Sequence, residues 1–258
     1  MLRVRVWCLG FALLLIGSAP ATSASPGYTA IQANAQICLK VGFFSDFGEV
    51  STKIALPILN RMYDLAGYCM NAVYMPSNRS KILLQRGELD AEMARAPATV
   101  AQMNGQAILV PQPIMKVKIQ FTWIDGLPFD GTLANAQNKT VGILRGLPTV
   151  HKHIEQYTKS VTLLQNLNSA GELLERGRID MLVSGGIGYP QMRDNFAKRG
   201  IKLRAKSFLE IPAYHVLHYR HTAKAAAFAA ALKYMIANGE LKGINAEQGL
   251  LPAKILPQ

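Results

Sequence analysis

The chain has 258 residues and a formal net charge of +12; half of its residues are hydrophobic and only 17% are charged. This composition excludes an intrinsically disordered chain, which combines low hydrophobicity with high charge. Three cysteines are too few for a disulfide-dense miniprotein, and the length suffices for one or two domains with a substantial core. The basic excess leaves nucleic acid, an anionic membrane surface or an acidic ligand open as partners.

The first 24 residues are typical of a cleavable export signal. Arg3 and Arg5 precede an apolar stretch at 6–16 that is too short to span a bilayer. Cleavage after Ala24 would remove both arginines and leave 234 residues with a net charge of +10. Cys8 lacks the small-residue context of a lipoprotein site. We therefore expect a free periplasmic protein, with an N-terminal membrane anchor as the alternative.

Export also bears on the partners of the protein. An exported protein rarely meets nucleic acid, and the sequence contains no helix-turn-helix, zinc-finger or aromatic-rich sheet motif. No later stretch approaches the roughly 18 consecutive apolar residues of a membrane-spanning helix. We therefore expect neither a nucleic-acid partner nor a second membrane segment.

Two cysteines remain after export, and each stands at the start of a predicted strand. If these strands are parallel neighbours, Cys38 and Cys69 would lie close together, and an oxidising compartment would favour a disulfide between them. Two buried free thiols are the alternative.

The first part of the exported chain alternates short strands with helices, which is the pattern of an α/β fold. Strands are predicted at 37–44, 71–75 and 89–94, and helices at 52–65 and 79–86. Pro57 should kink the longer helix or mark a later start, because proline removes a backbone hydrogen bond.

A second series of the same kind follows. Strands are predicted at 139–144, 161–165 and 180–184, and helices at 150–157, 169–176 and 222–237. A capping box at Ser169 should open the middle helix, and Thr222 should cap the last one, which we place on the first lobe.

Two similar sequence segments ninety residues apart suggest two similar lobes. Residues 83–90 read LLQRGELD and residues 173–180 read LLERGRID, each a helix end, a glycine stop and a strand start. Chance likeness between two helix–strand joints is the alternative. By this repeat Arg95 corresponds to Gly185, near the carboxyl end of a strand, where open α/β sheets bind ligands. Extended segments at 117–124 and 213–219 would carry the chain between the lobes and close a cleft.

The order of these segments resembles the family-three extracellular solute-binding proteins, the polar amino-acid type of periplasmic binding protein. The likeness covers about residues 37–243 and rests on GFFSDFGEVSTKIALPILNRMYDLAGYCMNAVYMPSNRSKILLQRGELDAEMAR, VGILRGLPTVHKHIE, SAGELLERGRIDMLVSG and AYHVLHYRHTAKAAAFAAALKYMIANGEL. It implies a type II fold: two α/β lobes, each an open, mostly parallel sheet flanked by helices, with two crossover strands as the hinge. Lobe I would comprise 25–117 and 214–258, and lobe II 118–213.

The resemblance also implies a ligand site in the cleft. In the family an arginine of the first lobe clamps the ligand carboxylate, and Arg95 matches it by position after the RGELD strand. A guanidinium can hold a carboxylate bidentately; a surface arginine is the alternative. The turn RGLPT resembles the Gly-Thr loop of the family, which makes Gly146 and Thr149 candidate contacts and Arg145 a further cation. A plain turn explains it about as well.

One departure concerns the ligand's α-ammonium group. The family places an aspartate after the second-lobe strand, whereas residues 180–186 read DMLVSGG, so Ser184 and Gly185 stand there without a carboxylate. The sequence therefore favours a carboxylate or another anion without the amine over an ordinary α-amino acid.

Other candidate contacts follow the first strand or lie near the same cleft. Aromatic rings there would cover an apolar part of a ligand and polar groups would hydrogen-bond it, although core packing is the alternative for the rings. These candidates are Phe44, Ser45, Asp46, Phe47, Arg79 and Trp123.

The histidines and carboxylates raise the question of an enzyme. His215 and His218 point to opposite faces of a predicted strand, and no cysteine or carboxylate completes a zinc site, so we expect no metal or cofactor. Asp90 and Glu92 share a strand face, which we interpret as polarity beside solvent and not as an acid–base pair.

Two hypotheses of function remain. The first is a monomeric protein that binds a small solute for an ABC-type transporter permease, and the second is a dehydratase- or lyase-like periplasmic enzyme or a sensor module on the same scaffold. Fold alone does not separate them. We favour binding and no catalytic residue, and we expect Arg95→Ala to abolish binding with little change in the melting temperature of the free protein.

Overall fold

The computed structural model describes residues 38–45, 48–145 and 147–247. They belong to one compact unit, Gln36–Gln258. The predicted export signal and the candidate residues Asp46, Phe47 and Gly146 lie outside the described residues. The limits predicted for the two lobes, at 117/118 and 213/214, stay a prediction.

The eight strands of the described chain form one mixed sheet in the order β2-β1-β3-β8-β4-β7-β5-β6. β1 runs parallel to β2 and β3, and β5 runs parallel to β6 and β7, whereas β4 and β8 run antiparallel to their neighbours. The strands are β1 (Leu39–Phe44), β2 (Met70–Met75), β3 (Ala91–Arg95), β4 (Ala107–Ile124), β5 (Thr140–Leu144), β6 (Ser160–Leu164), β7 (Met181–Gly185) and β8 (Leu203–His218). The predicted two-lobed α/β fold is confirmed.

Two long strands join the halves of this sheet. β4 and β8 have 18 and 16 residues, and they pair with each other along most of that length. One end of β8 pairs with β3, and the carboxyl-terminal part of β4, residues 119–122, pairs with β7. The first half-sheet is therefore β2-β1-β3 and the second is β7-β5-β6. Shifts of register at Pro113 and Met115 lie between the two halves. The predicted crossover strands are therefore present, and they are longer than predicted because each belongs to both halves.

Helices flank the sheet. They are α1 (Gly48–Ala66), α2 (Ser77–Gln85), α3 (Pro97–Ala101), α4 (Pro148–Ile154), α5 (Leu167–Glu175), α6 (Tyr189–Ala197), α7 (Ala225–Ala237) and α8 (Glu240–Glu247). The largest core cluster lies between the first half-sheet and the helices α1 and α7, with Phe43, Met62 and Phe228 fully buried. The tail helix therefore packs on the first half-sheet, as predicted. No helix in the described part of the chain is long and apolar enough to cross a membrane.

Three helix starts differ from the prediction. α1 begins at Gly48, so Pro57 lies in its interior and does not mark a later start. α5 is capped by Asn166, whose side chain accepts a hydrogen bond from the Ser169 N–H at 2.9 Å, so the predicted cap is wrong. The residue three positions upstream supplies the acceptor in place of Ser169. Thr222 lies in a 3₁₀ turn before α7, and its hydroxyl donates to the carbonyl of Tyr219.

The two similar segments, residues 83–90 and 173–180, adopt the same local structure. The glycine of each lies at positive φ, +74° in the first and +61° in the second. Asp90 N–H donates to the Lys40 carbonyl at 2.9 Å and its carboxylate accepts from Lys40 N–H at 2.8 Å. Asp180 makes the same pair of bonds with Thr140, at 2.8 and 2.7 Å. Each aspartate thus ties the start of its strand to the neighbouring strand, and the repeat is structural.

Cys38 and Cys69 form the predicted disulfide, with Cα atoms 4.6 Å apart. They stand one residue before Leu39 and Met70, which pair in parallel register at the start of β1 and β2. The bridge therefore fixes the first two strands to each other at their amino ends.

Candidate functional site

A cavity of about 170 Å³ lies between the two half-sheets. The carboxyl ends of β1, β3, β5 and β7 all reach it, which is where open α/β sheets place ligands. Its lining comprises Phe44, Ala55, Met93, Ala94, Arg95, Ala96, Thr99, Met115, Val117, Ile119, Leu144, Leu147, Pro148, Thr149, Val150, Leu167, Gly185, Ile187, Gly188, Ile211 and Ala213. The long strands β4 and β8 therefore form one wall, and the loops of each half-sheet form the others.

The lining is almost entirely apolar. Among the described residues of the cavity, Arg95, Thr99 and Thr149 alone carry polar side chains. An apolar cavity of about 150 Å³ holds one benzene molecule. A cavity of about 170 Å³ therefore suits a solute of roughly six to ten non-hydrogen atoms.

Arg95 lies at the end of β3 and is already paired with a carboxylate of the protein. Its Nε and Nη2 donate to Oε2 and Oε1 of Glu92, each at 2.8 Å, and Nη2 also donates to the carbonyl of Ser77 at 2.5 Å. The guanidinium stacks on the ring of Phe44, 4.0 Å from its centroid. Arg95 is 7% exposed and Glu92 0%. The bidentate fork that the family resemblance assigns to a ligand carboxylate is thus occupied by Glu92.

A local irregularity of β3 brings these two side chains together. Residues three apart on a regular strand point to opposite faces of the sheet. The pairing of β3 with β8 shifts register between Glu92 and Arg95, as at a β-bulge, so both side chains reach the same place. Glu92 is therefore buried, and its interpretation as polarity beside solvent is wrong.

Four predicted site residues line the cavity together: Phe44, Arg95, Thr149 and Gly185. Arg95 and Gly185, which correspond in the sequence repeat, face it from β3 and β7. Ser184 is 1% exposed and does not line the cavity; its hydroxyl makes no hydrogen bond within the described part of the chain.

The other described candidates lie elsewhere. Trp123 is 4% exposed and packs edge-on against Phe129 at 4.9 Å in the core of the second half-sheet, so the structure places it outside the cavity lining. Ser45, Arg79 and Arg145 are exposed, and none of them is among the lining residues.

Sequence reasoning missed the apolar majority of the site. Met115, Ile119 and Ile211 lie on the crossover strands, and their apolar alternation indicates only a buried face. Thr99 lies on α3, a five-residue helix that was not predicted. The one available signal was Ala94-Arg95-Ala96, where small residues flank an arginine at a strand end.

Behind the cavity wall, Tyr63 and His215 form a buried polar pair. Tyr63 Oη lies 3.0 Å from His215 Nε2, and His215 Nδ1 lies 3.4 Å from the carbonyl of Met93, whose side chain lines the cavity. Burial lowers the pKa of His215 to about 4, against the hydrogen bonds to the backbone of Met93 and Glu92. Burial likewise raises the pKa of Tyr63 above its usual value. His215 is therefore neutral at pH 7 and holds β3 through Met93.

The lowered pKa of His215 predicts a loss of stability in mild acid. His215 binds a proton with a pKa of 6.5 in the unfolded chain but only near pH 4 in the folded protein. The stabilisation that the neutral, buried imidazole contributes is therefore full above pH 6.5 and is lost as the pH falls to about 4. The slope is at most about 1.4 kcal/mol per pH unit. Urea unfolding between pH 4 and pH 7.5 measures it.

The matched variant is Tyr63→Phe/His215→Leu, which removes both polar groups together. It should lose this slope, while His151→Gln, on α4, should keep it. Equal slopes in the wild type and the double variant would show that His215 does not cause the pH dependence.

Comparison with known proteins gives the fold. No protein-family model and no curated protein matches the chain. Solved structures match most of it, among them a substrate-binding protein of an amino acid ABC transporter (12% identity, TM-score 0.66, covering 82% of this chain and 98% of that one). A histidine kinase sensor domain with similarity to periplasmic binding proteins (15%, 0.72, 86% and 99%) also matches. So does the ancestral amino acid-binding protein AncCDT-1, a precursor of cyclohexadienyl dehydratase (14%, 0.64, 82% and 95%).

These structures define the class of the fold. The chain has the two-lobed fold of the periplasmic binding proteins, of the type found in their amino-acid-binding members. The resemblance drawn from the sequence is therefore confirmed at the level of the fold.

Proposed function

We propose that the chain is a periplasmic solute-binding protein that encloses one small solute between its lobes and delivers it, as a monomer, to an ABC-type transporter permease. The observation that carries this proposal is the cavity at the carboxyl ends of strands from both half-sheets, with the two long strands as its wall. The likeness to a substrate-binding protein of an amino acid transporter supports it. The predicted export signal and the disulfide support a periplasmic location.

A dehydratase- or lyase-like enzyme on this scaffold is the second candidate, since AncCDT-1 is a precursor of a dehydratase. Acid–base chemistry needs a titratable group within reach of the substrate. The described lining of the cavity includes no carboxylate, histidine, cysteine or tyrosine, and its one ionic side chain is paired with Glu92. This lining favours binding. A sensor module would use the same capture of a solute and differ only in its partner.

A thermal-shift screen of small carboxylates, amides, alcohols, amino acids and sugars tests the proposal. A ligand of the folded state raises stability by RT ln(1 + [L]/Kd). The matched variants are Ala96→Phe, which places a ring in the cavity, and Ala101→Phe, which places the same ring on the exposed face of α3.

We expect at least one class of small molecule to stabilise the wild type and Ala101→Phe. Ala96→Phe should bind it at least ten times more weakly, because the added ring takes up a large part of the cavity. A screen without a ligand, or equal binding by Ala96→Phe, would contradict the proposal.

A further inference from the structure

Among the described residues of the cavity, the charge of Arg95 is balanced by that of Glu92. Arg95 is the one ionic side chain among the described lining residues. Its Nε and Nη2 each donate a hydrogen bond to the carboxylate of Glu92 at 2.8 Å. Glu92 is fully buried behind it, so water does not screen the pair. The positive charge that a cleft arginine would offer to a ligand is thus already balanced inside the protein.

A ligand carboxylate meets two costs in such a cavity. It must leave water for an apolar space, which is unfavourable unless an opposite charge and hydrogen bonds compensate. Among the described contacts of Arg95, Nη1 alone is left to donate, and the carboxylate of Glu92 on the same guanidinium repels a second carboxylate. A bidentate clamp would require Glu92 to move away.

An α-ammonium group has no better partner. No carboxylate is among the described lining residues; Gly185 ends β7 and Ile187 follows it, where the family resemblance expects an aspartate. Asp46, the acidic candidate of the first loop, lies outside the described residues. A zwitterionic amino acid would therefore bury both of its charges without compensation in the described site.

An uncharged solute meets neither cost. Its apolar part would contact side chains such as Met93, Met115 and Ile211, which surround the cavity. Its polar group would use the hydroxyls of Thr99 or Thr149, each of which can donate and accept, or a hydrogen bond from Arg95. A carbonyl or hydroxyl group fits these partners.

We propose that the solute of this cavity is an uncharged, largely apolar molecule of roughly six to ten non-hydrogen atoms with one carbonyl or hydroxyl group. This inference rests on the proposed function and names the class of ligand. Glu92 acts as a fixed internal counter-ion that removes carboxylates from the range of ligands, so it is a positioning and specificity residue and does not contact the solute.

Pairs of molecules that differ only in charge test this inference. The probes are benzamide against benzoate, and isovaleramide against isovalerate, with leucine as the zwitterion, titrated calorimetrically at pH 7.5. We expect the wild type to bind each amide at least ten times more tightly than the matching acid, and to bind leucine no better than the acids.

Glu92→Gln releases the positive charge of Arg95 and should shift the ratio of acid to amide affinity toward the acid by at least tenfold. Glu88→Gln removes a carboxylate that is 57% exposed on the neighbouring turn and should leave that ratio as in the wild type. If Glu92→Gln does not fold, the comparison of amides with acids in the wild type still decides the inference.

Tighter binding of the acids or of leucine by the wild type would overturn the inference and leave the solute-binding function standing. If none of these probes binds, the charge of the best ligand from the wider screen decides: a neutral ligand supports the inference, and an anionic or zwitterionic one overturns it. A wider screen without any ligand would overturn the proposed function itself.

Discussion

Replacing Glu92 with alanine is expected to lower the free energy of unfolding by about 3–5 kcal/mol. The substitution leaves the guanidinium of Arg95, 7% exposed, without its counter-ion in a low-dielectric environment. Urea unfolding at pH 7 measures the change. Glu88→Ala, on the exposed turn before β3, serves as the control and should change stability by less than about 0.5 kcal/mol.

A second variant separates the loss of the ion pair from the loss of packing. Replacing both partners, as Glu92→Leu/Arg95→Met, should restore most of the stability, because apolar residues of similar volume often substitute for a buried pair without cost. Arg95→Ala should destabilise the protein much as Glu92→Ala does, since it leaves Glu92 buried and unpaired. This replaces the small change in melting temperature that the sequence led us to expect for Arg95→Ala. A loss below about 1 kcal/mol for Glu92→Ala would show that water reaches the pair.

Removing the disulfide is expected to cost about 3–4 kcal/mol of unfolding free energy. Cys38 and Cys69 are 31 residues apart. In the loop-entropy account, a cross-link over a loop of that length lowers the conformational entropy of the unfolded chain and raises its free energy by this amount. The variant Cys38→Ser/Cys69→Ser, compared with the wild type by urea unfolding, gives the value.

Reductant provides the control for this measurement. It should lower the stability of the wild type to that of the double serine variant and should leave the variant unchanged. Two reactive thiols at these positions in the native, oxidised protein would contradict the bridge.

The sequence predicts the fold well where local signals and their repetition agree. The similar segments that end at Asp90 and Asp180 predict two similar helix–strand connections, and both connections contain the same hydrogen bonds. The position of two cysteines before neighbouring parallel strands predicts their disulfide. Each of these inferences depends on a few residues at the starts of strands, where the backbone pairing fixes the geometry.

The candidate site is predicted less completely because it depends on long-range packing. The pairing of Glu92 with Arg95 requires a shift of register that cannot be predicted from the residues of β3. The sequence therefore suggests a free arginine where the structure has an ion pair. Trp123 alternates correctly with its neighbours on β4, but Phe129 from the following loop covers it. The depth of a strand residue in the core depends on elements that pack on it from elsewhere in the chain.

The basic net charge of the chain is not matched by free cationic side chains among the described residues of the cavity. The predicted exported form carries +10, yet Arg79 and Arg145 are exposed and do not line the cavity, and Arg95 is neutralised by Glu92. Within the described part of the chain, Arg95 is the one lysine or arginine that is buried, so the basic excess there gives no reason to expect an acidic solute.

The most direct test of the interlobe site is the NMR spectrum of the methionine methyl groups during titration with the ligand from the screen. Met93 and Met115 line the cavity, whereas Met62 and Met235 are fully buried in the core between the first half-sheet and its helices. We predict saturable shifts of the first two resonances at the ligand concentrations that stabilise the protein, with little change in the other two. Saturable shifts that spare Met93 and Met115 would place the ligand elsewhere and contradict this assignment.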